Sequence, residues 1–172
     1  MHSELLVLRI VHVVGSILWG GTAMFVAFFL MPAMGMAGPA GAPVMSALVK
    51  RRLFVIVPTV AVLTILAGLR LLWLASSGFS AAYWTTTRSG MTYAIGAVCG
   101  IAAFTVFLTV SRPALGQMGQ LQQQLSQASD AEREAIMARM AAVRGRAAAA
   151  SQVIALLLII AAITMAVGRY ID

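Results

Sequence analysis

The stretch AAAASQVIALLLIIAAITMAVG, residues Ala147 to Gly168, carries no charge over its whole length. About 20 apolar residues at 1.5 Å rise per residue cross a bilayer, and lipid offers the backbone no hydrogen-bond partner outside a helix. The segment therefore reads as a transmembrane helix. Three more runs read the same way: Ile10 to Met31, broken only by His12; Leu53 to Leu69, continuing past Arg70 to Ala75; and Met91 to Val110. Spans are placed at about 5–31, 53–75, 91–111 and 147–169. Hydrophobic residues make up 61% of the 172 and charged residues 10%, against about 25% charged in ordinary soluble domains. A soluble fold of this length has too little interior to hide that much apolar surface. The expectation is an all-α, polytopic membrane four-helix bundle, residues 1–172 forming a single transmembrane domain.

The first run is read as a true span, because it is too long for a signal-peptide core and Glu4 weakens the positive region such a peptide needs. Between the first two spans, Pro32, Gly35, Gly38, Pro39, Gly41 and Pro43 predict an irregular loop, with the next helix starting near Val44. Pro58 falls inside the second span and predicts a kink. The third connection differs. Leu115, Met118, Leu121 and Leu125 recur at helical spacing, Ser126 to Asp130 reads as a turn, and Ser129 with Glu132 fits a capping box. Ile136, Met140 and Val143 then share one helical face. The third and fourth helices are expected to run beyond the membrane as a helical hairpin over about 113–146.

Basic residues set the orientation. Lys50, Arg51, Arg52, Arg112, Arg133, Arg139, Arg144 and Arg146 lie on one side; Arg9, Arg70, Arg88 and Arg169 lie on the other. The positive-inside rule turns the richer side, with the hairpin, to the cytoplasm and both termini to the periplasm of an inner membrane. Trp73, Tyr83, Trp84, Tyr93 and Tyr170 then form the outer interfacial belt. The net charge of +7 sits at span ends and forms no stripe of the kind nucleic acid needs, so no nucleic-acid partner is expected. The single cysteine, Cys99, allows no internal disulfide and reads as a small buried hydrophobe.

His12 is the main candidate for chemistry. It lies about 10 Å inside the first helix, where an ionisable group is costly. Gly15, Ser16, Gly20 and Ala23 share its face and leave room for a flat ligand or for a neighbouring helix. Neutral imidazole suits haem or copper, which makes His12 a candidate cofactor or metal ligand. The alternative is a structural histidine hydrogen-bonded to a neighbouring helix across small residues. Met91 and Met165 reach a similar depth and are candidate second ligands, although 11 methionines in so apolar a chain read first as filler. Arg9 and Arg70 are placed to pair with Glu4 or an anionic group, or to snorkel to the interface. The spans hold no Asp or Glu, which removes the usual parts of a proton relay or cation path. No phosphate-binding loop or zinc-like ligand cluster is present, and nothing assembles into a nucleophile, base and orienter, so no enzyme is expected.

The opening Leu8-Arg9-Ile10-Val11-His12-Val13-Val14-Gly15-Ser16-Ile17-Leu18-Trp19-Gly20-Gly21 resembles the first helix of the CopD-like (copper resistance D-like) group of small bacterial membrane proteins. Arg51-Arg52-Leu53-Phe54, followed by Leu66-Ala67-Gly68-Leu69, resembles that group's second helix. The resemblance implies a role near copper uptake or a b-type haem, with His12 as the residue carried over. The remaining expectations are a non-catalytic accessory or scaffold subunit of a larger redox or photosynthetic membrane complex, with lipid and other membrane subunits as partners, and a small transporter. The stripe Gly96, Ala97, Gly100 and Ala103 offers a packing surface either within the chain or toward another one.

Overall fold

The computed structural model describes residues 2–171. All regular elements among them are helical: α1 His2–Phe25, α2 Met31–Ala37, α3 Ala42–Lys50, α4 Leu53–Ala75, α5 Ala81–Thr86, α6 Arg88–Val106, α7 Arg112–Gln127 and α8 Asp130–Val167. Four helical runs are long and apolar enough to cross a membrane: His2–Ala37, Leu53–Ala75, Arg88–Gln127 and Asp130–Tyr170. The chain is a multi-pass membrane protein built as an all-α bundle. Its outward faces agree with that, since Ile17 and Phe29 are each 67% exposed, which water would penalise and lipid accepts.

Two antiparallel pairs, α1 with α4 and α6 with α8, make the closest contacts. They join through α1 against α8 and α4 against α6, so the helices follow chain order around the bundle. Each helix contributes to the central core, with Trp19 from α1, Ala61 from α4, Ala103 from α6, and Ile154 and Leu158 from α8. Small buried residues such as Gly15, Ala61, Gly96, Ala103 and Ala155 let the backbones approach, and dispersion between close-packed helices then supplies much of the association energy in lipid. At one end of the bundle Glu4 of α1 meets Arg70 of α4.

The connection after the first span is more helical than its proline and glycine content suggests. A widened turn at Val26–Leu30 leads directly into α2, and the Met31 amide donates to the Val26 carbonyl five residues back. Pro32 follows, in the first turn of α2, where a proline's missing N–H is tolerated. The extra residue per turn moves backbone carbonyls away from the proline ring, which would clash in a regular helix. The same device recurs at Phe107–Ser111 before Pro113. The break comes at Gly38, with φ +53°, followed by a tight turn at Gly38–Gly41 and then α3, which starts at Ala42. Arg52, in the left-handed region at φ +57°, separates α3 from α4. Helix α4 runs unbroken across Pro58. The segment between α4 and α6 contains the short helix α5.

The helical hairpin is present. Helix α7 packs on the first half of α8, with Met140 and Val143 buried and Leu115, Met118, Leu121 and Leu125 half-buried against them. The turn is short. Ser129 precedes α8, and the Glu132 carboxylate accepts from the Ser129 amide at 3.0 Å and from its hydroxyl at 2.6 Å. These bonds hold the Glu132 carboxyl below its ordinary pKa.

Candidate functional site

His12 sits in the α1–α4 interface, half-buried. Its Nδ1 lies 2.9 Å from the backbone carbonyl of Thr64. A carbonyl only accepts, so Nδ1 carries the hydrogen and donates it. In the neutral ring the lone pair is then on Nε2. Thr64 is 3% exposed and spends its hydroxyl on the Val60 carbonyl at 2.8 Å, within its own helix. Its backbone oxygen is therefore the group left to reach across to α1.

Two glycines make the approach possible. A Cβ built on Gly68 would lie 2.6 Å from His12 Cε1 and 2.9 Å from Nδ1. The imidazole therefore lies against bare backbone at Gly68. A Cβ on Gly15 would collide with Thr64 Oγ1 in the same way. The contact is reciprocal: α1 presents a ring to a glycine of α4, and α4 presents a threonine to a glycine of α1. Of the small residues on the His12 face, Gly15 serves this contact, Ser16 returns its hydroxyl to the His12 carbonyl at 2.6 Å, and a Cβ on Gly20 would meet nothing within 4 Å.

The start of α1 is tied to the end of α4 by charge. Arg70 donates to Glu4 Oε1 from Nη2 at 2.7 Å and from Nε at 3.0 Å, and its guanidinium stacks 4.5 Å from the Trp73 ring centroid. Both side chains remain more than 40% exposed, so the pair adds little energy in water, roughly 0–1 kcal/mol. Arg9, the other arginine singled out there, is exposed.

The two methionines lie elsewhere. Met165 packs in the α6–α8 interface, where a Cβ on Gly96 would meet its Cε at 2.9 Å. Met91 is half exposed near the start of α6. Neither makes a described contact with His12. Among the described residues no three His, Cys, Asp or Glu side chains cluster as metal ligands would. Within the stripe on α6, Gly96 faces Thr164 and Met165 of this same chain and Ala103 is fully buried in its core.

Helix α7 and the first half of α8 flank a shallow groove whose lining includes Gln117, Gln120, Gln124, Arg139 and Arg146. Arg146 donates to Gln117 Oε1 across it at 3.2 Å. Sequence reasoning identified His12 but not Thr64 or Gly68 as its partners. The readable signal was their spacing, a threonine and a glycine four apart on one face of α4 at the depth of His12. No family model matches the chain, and no curated protein or solved structure is detectably similar to it.

Proposed function

We propose that the protein is a non-catalytic scaffold subunit of a larger membrane complex, held in the inner membrane with both termini periplasmic and the α7–α8 hairpin in the cytoplasm. The observation that carries this reading is the hairpin. It has its own buried seam at Met140 and Val143, which keeps it rigid, and it presents a groove of glutamines and arginines that neither lipid nor the bundle covers. A firm polar surface held off the membrane suits the docking of another protein. The distribution of basic residues supports the orientation, eight at the hairpin side against four at the other. The test is gentle extraction from the native membrane. The wild-type chain is expected to migrate with other subunits, and Arg139→Glu with Arg146→Glu to migrate alone while still inserting. A wild-type chain that runs as a lone polypeptide overturns the reading.

A second reading rests on one observation. The bond from His12 Nδ1 to the Thr64 carbonyl is the arrangement by which proteins fix the tautomer of a ligating histidine and aim Nε2 outward. Together with the CopD-like opening of α1, it supports binding of a b-type haem or copper through His12. Oxidised and reduced absorption spectra of the protein decide it. A stoichiometric haem band lost in His12→Ala supports the second reading, whereas a blank spectrum with no bound copper removes it.

A further inference from the structure

The contact around His12 has a counterpart of the same construction. Tyr93 of α6 lies on Gly168, where a Cβ would come within 2.6 Å of its Cε1, and Gly96 accommodates Thr164, whose Oγ1 would lie 2.7 Å from a Cβ there. In both helix pairs the ring stands three residues before its glycine, and the threonine stands four before its own. Thr64 and Thr164 return their hydroxyls to Val60 and Ile160 at 2.8 and 2.9 Å.

The correspondence continues along the chain. The offset that carries His12 onto Tyr93 and Gly15 onto Gly96 also carries the widened turn Val26–Leu30 onto Phe107–Ser111. It carries the bond from Met31 to Val26 onto the bond from Arg112 to Phe107. It further carries Pro32, Ala33, Gly35 and Gly38 onto Pro113, Ala114, Gly116 and Gly119. A second offset carries Ala61, Thr64 and Gly68 onto Ala161, Thr164 and Gly168. Shared glycines alone would mean little in a chain with 15 of them. Here sequence identities, helix irregularities and interhelical contacts fall under the same two offsets. The packing follows suit, with α1–α4 matching α6–α8 and α1–α8 matching α4–α6.

We propose that the chain is two copies of one two-helix unit joined in tandem, and that the surface between the halves is a self-pairing surface of that unit, closed about a two-fold axis along the bundle. The α7–α8 hairpin is then the lengthened counterpart of the short α2–α3 connection. Closure about a two-fold brings equivalent positions toward one another, and two large residues there would clash. The halves have diverged accordingly. Trp19 corresponds to Gly100 and Phe104 to Ala23, so each large residue is matched by a small one in the other unit. Trp19 and Phe104 meet edge to face, 6.3 Å between centroids, with Ala23 packed against the same core. A Cβ at Gly100 would meet nothing within 4 Å.

The symmetry is tested by exchanging that pattern between the halves. The half exchange, Trp19→Gly with Ala23→Phe, is expected to lower the melting temperature in detergent, since it opposes two phenylalanines and empties the tryptophan site. The full exchange, which adds Gly100→Trp and Phe104→Ala, regenerates the wild-type interdigitation with the units swapped and is expected to recover most of the loss. A full exchange melting no higher than the half exchange overturns the proposal. A second pair guards against general intolerance of core changes. Tyr93→His, which installs the ring its counterpart carries, is expected to melt near wild type and Tyr93→Leu well below it. Equal losses in the two again overturn the equivalence.

Discussion

At the scale of single residues, the α1–α4 contact depends on the absence of atoms as much as on their presence. Gly68→Ala places a methyl group 2.6 Å from the His12 ring, and overpacking of this kind typically costs about 1–3 kcal/mol. The variant is expected to melt lower in detergent, and an unchanged melting curve would contradict the close approach. His12→Ala removes the bond to Thr64 and the ring that covers Gly68. Interhelical hydrogen bonds in membranes are worth roughly 0.6–2 kcal/mol, so a loss at or above that range is expected in the same assay. The sequence made His12 conspicuous, because a lone ionisable residue in an apolar run stands out. Its partners left only a spacing, a threonine and a glycine four apart, as their mark. Thr64 takes part through a backbone carbonyl, which leaves no mark on residue identity, and Gly68 takes part by lacking a side chain.

At the scale of elements, the four spans were readable because uncharged runs of this length have one structural outcome in lipid. The second span's bounds, 53–75, match α4, and Ser129 with Glu132 marked the start of α8. The connection after the first span was misjudged for a physical reason. Composition identifies Pro32 as a helix breaker, but a widened turn just upstream lets the helix absorb it. Two predictions belong here. Pro113→Ala removes the demand for the widened turn, and a structure of that variant is expected to show the Arg112 amide donating to the Leu108 carbonyl, four residues back, in place of Phe107. The hairpin tip is expected to be acid-sensitive. The Glu132 carboxyl titrates below its usual value in the folded chain. Its stabilising effect is therefore complete above the unfolded carboxylate pKa, near 4.5, and is lost as pH falls through the lowered folded value. Amide exchange at 130–134 should rise across that window in the wild type and show no such rise in Glu132→Gln.

At the scale of the whole molecule, the four spanning helices follow chain order around the bundle as antiparallel neighbours. The tandem relation between the halves was harder to read, because apolar helices share composition without common descent and only five small or cyclic residues coincide in the first stretch. Replacing Trp19, 6% exposed at the centre, by alanine is expected to cost about 3–5 kcal/mol, measured as unfolding in detergent. One asymmetry between the helices has a mechanical consequence. Helices α1 and α6 each pass through a widened turn, but α8 is continuous over 38 residues, roughly 57 Å at the helical rise. It is thus a continuous strut from the hairpin tip to the far rim of the bundle, flanked by two members whose bonding pattern changes midway. A push at the tip would pass along α8 toward the seat of Tyr93 on Gly168, whereas in α1 and α6 the regular bonding is interrupted on the way.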